Sequence, residues 1–488
     1  MSTTTPSNNA IDTSNIQGDV VVGLHKRVQA FVFITLKKDC QSITDFRKLL
    51  KSKILPQITT IKDVMDTDER IKRERSKDRN VILPITELNI SFSAAGLKKL
   101  GIPDDQLPGS DAQNDAFRSN QRSDAINNLG DPVDAQTNSL RTWSGDYLRG
   151  SIDVLLMITA PEDQLLNSKL NELEHHLRPL TEFSFVKRGN VRPDSEAGHE
   201  HFGYLDGISQ PKIKGFDDNQ GGEKVGVIGP EVILVGQQGT GSSANQLSQS
   251  KSWQKDGSFI VFRELQQFVP EFDSFVRGLA DKEGKEPGLI GARIVGRWKS
   301  GAPVVIADEK DDPSLARSQE FDFSDDYLQL KCPYAAHIRK SNPRAGMQGV
   351  DVNQLILPHL MIRAGIPYGP ELDDEEKRVQ KTIKERGLLF VSYQSSIEAG
   401  FQRVQQHWCN DINFPPNNPA KVTPGFDLII GINSSSNPRT SQNILPKGES
   451  GTTDPNNVVT ALSDFVLPRG GEYLFVPSIK AIKNTLSL

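Results

Sequence analysis

Strand-like and helix-like segments alternate along this 488-residue chain, and the same alternation occurs twice. Each time, two apolar runs rich in β-branched and aromatic residues are each followed by a helical pattern. The four runs are Val28–Leu36, Leu88–Ser93, Ser258–Leu265 and Leu388–Tyr393. None of them leads into a glycine-rich phosphate-binding turn, which favours an antiparallel ferredoxin-like sheet over a parallel doubly wound one. We therefore predict an α+β fold made of two ferredoxin-like halves.

The length of the chain also indicates two halves, because one hydrophobic core seldom serves so many residues. We place the N-terminal half at residues 15–200 and the C-terminal half, with a long insertion, at residues 201–488. Residues 1–14 are polar and are predicted to form a disordered tail. Three further strand-like segments complete the pattern: Ile152–Met157, Thr181–Val186 and Tyr473–Val476.

Composition argues against several classes of protein. The formal net charge of −5 speaks against a nucleic-acid partner, which normally requires a basic surface. No run of about 20 apolar residues could span a membrane. The three cysteines are far apart and form no CxxC pair, so a structural zinc site is not expected. The first residues lack the apolar stretch of a signal peptide, so we expect a cytoplasmic protein or the mature form of a secreted one. The sequence carries no signature of a particular oligomeric state.

His337 lies in a segment, Cys332–Arg344, whose composition suits a haem site. The small residues just before His337 would let a large flat group approach the backbone. Arg339, Lys340 and Arg344 could neutralise carboxylates such as those of a haem, while the imidazole binds the iron. From the residues alone, a loop histidine among surface charges is the simpler alternative.

A second cluster, His199–Pro211, holds two histidines and a carboxylate. Two glycines flank Asp206, which indicates a tight turn that aims this carboxylate into a confined space. On a strand, His199 and His201 would point to the same side, as the paired ligands of a non-haem metal site do. Asp206 could instead cap a helix that begins nearby.

Segments from both clusters resemble the signature segments of the dye-decolourising peroxidases. The matching segments are Gly203-Tyr-Leu-Asp-Gly207, His337-Ile-Arg-Lys-Ser-Asn-Pro-Arg344 and Ile362-Arg-Ala-Gly-Ile-Pro-Tyr-Gly369. Further blocks in the family's order are Asn15–Asp19, which is similar to the opening of the fungal members, Ile290–Pro303 and Phe465–Tyr473. The resemblance implies two ferredoxin-like halves that enclose one haem b per chain. It also implies a peroxidase that reduces hydrogen peroxide to water and oxidises dyes, phenols and other aromatic substrates in one-electron steps.

Two alternative functions stay open on the sequence. The first is a haem-binding or iron-releasing protein on the same fold, since a fold does not fix a function. The second is a non-haem metal oxygenase that uses His199 and His201.

The resemblance also implies roles for individual residues. It makes His337 the axial ligand of the haem iron, and we name Asp427 as the acceptor for its other ring nitrogen. Asp206 would take the first proton of hydrogen peroxide and return it to the departing oxygen. Arg363 would stabilise the negative charge that develops there. Family members often carry a second arginine beside this one, and here neither neighbour of Arg363 is an arginine.

Four apolar or aromatic residues complete the predicted site. Leu388 and Phe390 alternate on a predicted strand and are expected to wall the pocket. Because dye-sized molecules could not enter a sealed pocket, the family is thought to pass electrons through surface aromatics. The resemblance suggests Trp408 and Tyr368 for this role. Trp408 also lies at helical spacing from Phe401, a pattern that is typical of core residues.

Overall fold

The computed structural model describes residues 11–79, 81–109, 115–216, 226–237, 250–432, 439–445 and 457–488. The strands are β1 Val28–Leu36, β2 Glu87–Phe92, β3 Val154–Ala160, β4 Thr181–Asn190, β5 Lys212–Ile213, β6 Val227–Ile228, β7 Ser258–Gln267, β8 Ile362–Arg363, β9 Ile366–Tyr368, β10 Gly387–Gln394, β11 Arg439–Gln442, β12 Val458–Ala461 and β13 Val466–Val476. The α-helices are α1 Cys40–Leu49, α2 Ile61–Arg75, α3 Ala94–Lys99, α4 Ala116–Ser119, α5 Gln121–Asp124, α6 Gly145–Leu148, α7 Asp163–Leu177, α8 Val269–Glu283, α9 Pro287–Val295, α10 His337–Ser341, α11 Val352–Leu355, α12 Asp374–Val379 and α13 Ile479–Ala481. Four π-helical segments accompany them: Leu50–Ile54, Ala125–Leu129, Glu398–Cys409 and Ile482–Leu486.

In the N-terminal half the strands lie in the order β4-β1-β3-β2, and all neighbouring pairs are antiparallel. Helices α1 and α2 follow β1, and α7 connects β3 to β4. This is the arrangement of a ferredoxin-like unit. Strand β1 is buried along almost its whole length, which explains why its sequence is a continuous apolar run rather than an alternating one.

The C-terminal half repeats this order as β13-β7-β10-β8, so each half places its fourth, first, third and second strands side by side. Strand β2 pairs with β13, and this pairing joins the two halves into one nine-stranded sheet. The repeated order confirms the predicted α+β fold with two ferredoxin-like halves. The predicted boundary at residue 200 falls between β4 and β5 and stays a prediction.

The two ends of the sheet lie against each other, which gives the sheet a barrel-like curvature. Gly189 in β4 packs directly on Ile366 and Pro367 of β9. A Cβ atom at Gly189 would lie 2.4 Å from Cγ2 of Ile366, so this contact requires a glycine.

The two faces of the sheet have different surroundings. On the inner face, the rings of Phe31 and Phe33 in β1 lie 4.9 Å from the ring of Phe262 in β7, measured between centroids. On the outer face of the N-terminal half, α7 packs through Leu166 and Leu173 in a separate core cluster. Alternate residues of each strand therefore pack into two different cores, because successive side chains of a strand point to opposite faces of the sheet.

The predicted disordered tail is wrong for residues 11–14. The backbone of Thr13 accepts a hydrogen bond of 3.1 Å from the N–H of Lys62, and Asp12 lies 2.9 Å from the ammonium group of Lys480. Residues 1–10 lie outside the described residues. Within the described ranges, no helix is long and apolar enough to cross a membrane.

A buried ion pair joins the two halves and generates a first prediction. Both carboxylate oxygens of Asp131 accept hydrogen bonds of 2.8 Å from the guanidinium group of Arg263 in β7. Asp131→Ala would leave the cation of Arg263 buried without a carboxylate, so we expect the free energy of unfolding to fall by about 3 kcal/mol or more. Urea-induced unfolding followed by circular dichroism measures this loss.

The matched control is Asp146→Ala, because Asp146 is an exposed aspartate in the same half. We expect it to change the free energy of unfolding by less than about 0.5 kcal/mol. Equal stability of the two variants would contradict the assigned role of the buried pair.

Candidate active site

A cavity of about 260 Å³ lies over the outer face of the sheet in the C-terminal half. Other walls come from the loop at residues 200–211, from α10, from β8 and from residues of the segments 295–297, 319–321, 342–344, 359–361, 401–405 and 429–432. Alternate residues of the strands form one wall: Arg263, Leu265 and Gln267 of β7, Leu388 and Phe390 of β10, and Val466 and Pro468 of β13. The expected contribution of Leu388 and Phe390 to an apolar wall is therefore present in the structure.

His337 is the first residue of α10 and lines this cavity. Its Nδ1 atom lies 2.7 Å from Oδ2 of Asp427, the residue that the sequence analysis names as its partner. The other carboxylate oxygen of Asp427 accepts hydrogen bonds from the N–H groups of Ile429 and Ile430 at 2.8 and 3.1 Å. This arrangement fixes the carboxylate and leaves Nε2 of His337 as the nitrogen available to a ligand.

The pKa of His337 reflects this contact. Burial alone would lower the pKa, but the negative charge of Asp427 and its hydrogen bond outweigh burial and raise the pKa of the imidazole. The same contact, against the effect of burial, lowers the pKa of Asp427. Asp427 therefore remains an ionised acceptor for the Nδ1 proton.

Asp206 and Arg363 form an ion pair at the same cavity. The guanidinium group of Arg363 donates a 2.9 Å hydrogen bond to Oδ1 of Asp206, which also accepts one from the N–H of Gly207. Their side chains are 34% and 30% accessible, and both line the cavity. Burial alone would raise the pKa of Asp206, but the charge and hydrogen bond of Arg363 lower it. This aspartate can therefore accept a proton even in acidic solution.

Two features of the chain hold this pair in place. Gly203 and Gly207 have φ values of 87° and 73°, which a residue with a side chain seldom adopts, so the loop turns sharply at both ends of the Asp206 segment. The side-chain amide of Gln210 donates to the backbone oxygen of Arg363 at 2.6 Å and accepts from its N–H at 3.0 Å. Gln210 was not predicted as a site residue, although it lies in the His199–Pro211 cluster.

Arg339 does not have its predicted position. Its side chain is 2% exposed and donates to the carboxylate of Asp326 at 2.9 Å and to the backbone oxygen of Cys332. The prediction that Arg339 binds the cofactor is therefore wrong, because its guanidinium group is buried against Asp326 and Cys332 and does not line the cavity. Arg344 of the same segment does line the cavity, as does Arg297, which the sequence analysis did not single out.

The predicted surface aromatics are buried. Trp408 is 2% exposed and its ring stacks on Phe414, with the centroids 5.3 Å apart. Tyr368 is 9% exposed, and its hydroxyl group donates to Glu385 at 3.2 Å. The expectation that these two residues lie at the surface is wrong. The π-helical segment Glu398–Cys409 turns Trp408 inward, and β9 turns Tyr368 inward. The half-buried tryptophan and tyrosine side chains are Trp253 and Tyr327.

The two histidines proposed as ligands of a non-haem metal do not form such a site. His199 forms an isolated β-bridge with Leu205 and His201 lies in a turn, so the two are not on one strand. Nε2 of His201 lies 2.8 Å from the backbone oxygen of Tyr368, and burial lowers the pKa of this histidine to about 4. In the part of the chain that the structure describes, no group of three or more histidine, cysteine, aspartate or glutamate side chains could hold a metal ion.

The residues at the cavity fit a haem. One imidazole presents a single available nitrogen, its other nitrogen is held by a buried carboxylate, and much of the wall is apolar. Cationic side chains at the same cavity suit the carboxylates of a haem. An ionised carboxylate paired with an arginine lines the same space and can handle the protons of a small oxidant. Fold and site together define a haem peroxidase.

Comparisons with known proteins agree with this class. Residues 15–193 match the family model described as the DyP dimeric alpha+beta barrel domain. Peroxidase 2 of Mycetinis scorodonius is 38% identical over 98% of this chain and 88% of its own length. The solved structure of an ancestral D-type dye-decolorizing peroxidase is 40% identical, with a TM-score of 0.86 over 98% of this chain and 100% of that one. A dye-decolorizing peroxidase solved in complex with 2,6-dimethoxyphenol is 34% identical, with a TM-score of 0.82 over 98% and 100% of the two chains.

The chain therefore belongs to the family of dye-decolourising peroxidases. It is a haem peroxidase, and neither the non-haem oxygenase nor the iron-releasing alternative is favoured.

The ion pair of Asp206 and Arg363 generates a prediction about pH. Because Arg363 lowers the pKa of Asp206, the carboxylate stays ionised and kcat/KM for peroxide should decrease only when the pH falls below this lowered pKa. Arg363→Gln removes the stabilising charge and raises the pKa, so the acid limb of the kcat/KM profile should move to higher pH. The plateau should fall as well, but the midpoint of the limb is the measurement that decides.

The control is Arg188→Gln, which removes an exposed arginine from β4 without touching the cavity. Its acid limb should coincide with that of the wild type. An unshifted limb in Arg363→Gln would show that Asp206 is not the group that accepts the proton of the peroxide.

Proposed function

We propose that this chain binds one haem b through His337, reduces hydrogen peroxide to water and oxidises dyes and phenols. The observation that carries the proposal is the position of His337. Its ring lines the cavity, its Nδ1 is fixed by buried Asp427, and Asp206 and Arg363 line the same space. A bound haem would supply an iron to hold the peroxide, and it would also supply the electrons for the reduction of the peroxide.

On one side of the mechanism, Asp427 keeps the proton of His337 at Nδ1. With that proton fixed, the lone pair of Nε2 is free to bind the iron, and the ring cannot rotate. The negative charge of Asp427 also makes the imidazole a more electron-rich ligand, which suits a haem that must give up electrons to peroxide.

On the other side, Asp206 carries a proton between the two oxygens of the peroxide. Its ionised carboxylate accepts a proton from one oxygen and returns it to the other, which departs as water. Arg363 is a permanent cation 2.9 Å away, and it offsets the negative charge that builds up as the bond between the oxygens breaks. The two hydrogen bonds between the side-chain amide of Gln210 and the backbone of Arg363 hold this arginine in place beside Asp206.

Arginines are the candidates for holding the two carboxylates of the haem. Arg297 and Arg344 line the cavity beside Arg363. Burial lowers the pKa of Arg297 to about 9, and the nearby charges of Arg344 and Arg363 act in the same direction. A carboxylate placed among these cations would relieve their mutual repulsion.

The substrates follow from the relatives and from the size of the cavity. Curated relatives are named as dye-decolorizing peroxidases, and one solved relative holds 2,6-dimethoxyphenol. A cavity of about 260 Å³ is small for a dye molecule beside a haem, so electrons from a dye at the surface must reach the haem through the protein. Trp408 remains our candidate for a relay, as a buried intermediate rather than as a contact site for the dye.

The assignment of His337 is tested by His337→Ala. Removal of the ligand should abolish stable haem binding, because the imidazole is the group that would bind the iron. The measurement is the haem content of the purified protein and the position of its Soret band.

His359→Ala is a stringent control, because His359 lines the same cavity but its Nδ1 lies 2.6 Å from the backbone oxygen of Ala399. This variant should retain haem. If His337→Ala kept a wild-type haem content and Soret maximum while His359→Ala lost them, the axial ligand would be His359.

The relay is tested by Trp408→Phe. Phenylalanine fills a similar volume but is much harder to oxidise, so turnover of bulky dyes should fall while the reaction with peroxide keeps its rate. Stopped-flow measurement of the peroxide reaction and steady-state dye oxidation separate the two steps. Trp298→Phe is the control, since Trp298 is also buried, at 7% exposure, and lies in a different core cluster.

Two results would contradict the relay. If dye turnover by Trp408→Phe equalled that of the wild type, Trp408 would only pack against Phe414. If Trp298→Phe lost as much dye turnover as Trp408→Phe, the effect would come from loss of packing and not from loss of an oxidisable ring.

A further inference from the structure

Lys340 places an ammonium group inside the protein, three residues after His337 in α10. Its side chain is fully buried, and Nζ donates to the backbone oxygens of Trp408 at 3.0 Å and Asp411 at 2.6 Å. Within the described ranges no carboxylate lies within 4.0 Å of this nitrogen, so carbonyl groups are its direct partners. A buried cation without a contacting anion is costly, and such groups occur preferentially at functional sites.

The contacts of Lys340 lead back to His337 through hydrogen bonds and short stretches of backbone. Trp408 is followed by Cys409, whose backbone oxygen accepts a 3.1 Å hydrogen bond from the N–H of Asp427. Asp427 in turn holds Nδ1 of His337 at 2.7 Å. Lys340 is therefore tied through this segment to the residue that fixes His337.

The charge of Lys340 also acts on Asp427 directly. Burial lowers the pKa of Lys340 to about 8, while the negative charges around it, including that of Asp427, oppose the shift, so the group is a cation at neutral pH. In the low dielectric of a core, such a charge is felt beyond contact distance. It attracts the negative charge of Asp427 and thereby makes this carboxylate a weaker acceptor for the Nδ1 proton.

We propose that Lys340 is a positioning residue whose positive charge sets the reduction potential of a haem bound at His337. This inference rests on the proposed function, because it needs a haem iron at Nε2. A weaker pull on the Nδ1 proton leaves the imidazole less electron-rich, which favours the ferrous over the ferric state and raises the potential. A higher potential gives a peroxidase more driving force to take electrons from its substrates.

A purely structural interpretation is that the ammonium group caps the end of the π-helical segment Glu398–Cys409, where carbonyl groups lack partners. Lys340→Gln distinguishes the two, since its amide can still donate to both carbonyl oxygens but carries no charge. Lys340→Arg keeps the charge and changes the shape. Lys377→Gln removes an exposed lysine, with a side chain 59% accessible, and serves as the control.

The experiment measures the ferric/ferrous reduction potential of the four haem-loaded proteins by spectroelectrochemistry. The iron–histidine stretching frequency of the ferrous proteins is recorded by resonance Raman spectroscopy. We expect Lys340→Gln to have a lower potential and a higher stretching frequency than the wild type. Lys340→Arg should restore both toward wild-type values, and Lys377→Gln should not differ from the wild type.

Other results would overturn the inference. If Lys340→Gln kept the wild-type potential and frequency, the charge would have no effect on the haem. If Lys340→Gln and Lys340→Arg changed both values equally, the contacts and not the charge would matter. Failure of the arginine variant to fold leaves the comparison of Lys340→Gln with the wild type decisive. Wild-type protein that bound no histidine-ligated haem would instead refute the proposed function itself.

Discussion

The alternation of side chains along each strand is the constraint on which the rest of this structure depends. One sheet serves two environments, because successive residues point to opposite faces. The inner face is filled by aromatic rings such as Phe33 and Phe262. On the outer face, the N-terminal half is covered by packed helices, whereas the C-terminal half carries the cavity on Leu388, Phe390 and their neighbours. Duplication of one unit thus yields a single site, because the same face is packed in one copy and hollow in the other.

The site then depends on two carboxylates in different settings. Asp427 is fully buried and is held by two backbone N–H groups, so it cannot exchange protons with solvent and serves to fix His337. Asp206 is 34% accessible at the cavity and has Arg363 as its charged partner. Both have a lowered pKa, Asp427 through its contact with His337 and Asp206 through Arg363. The difference in access, more than the difference in pKa, separates an anchor from a group that can carry protons.

Much of the fold could be predicted from the sequence because strands bury long apolar runs. The run Val28–Leu36 coincides with β1, and the repeat predicted from four such runs reappears as the repeated strand order. For the site, three segments that resemble the family were enough to identify His337, Asp206 and Arg363. The structure shows that these three residues line one cavity. Other residues could not be placed, because their environment comes from distant loops without a pattern.

Arg339 and Trp408 show the reason in physical terms. A row of cations in the sequence does not reveal which one meets a buried anion, and Asp326, the partner of Arg339, lies 13 residues away in an irregular segment. Trp408 stacks on Phe414, beyond the end of its own helical segment, and this contact withdraws it from the surface. Both errors concern tertiary partners, and the helical spacing of Trp408 from Phe401 does agree with the helical segment Glu398–Cys409.

The short helix α10 explains how neighbouring cations come to act differently. Each residue of a helix is rotated by about 100° from the one before, so His337, Arg339 and Lys340 point in three directions. His337 lines the cavity, Arg339 meets the carboxylate of Asp326, and Lys340 meets carbonyl groups. The charge of Arg339 is neutralised by the carboxylate of Asp326, with which it is in contact. Lys340 donates hydrogen bonds only to carbonyl groups in the described residues, so its positive charge also acts on Asp427. A charge that can influence the bound iron therefore results from the direction of one side chain on the helix, and the neighbouring arginine cannot replace it.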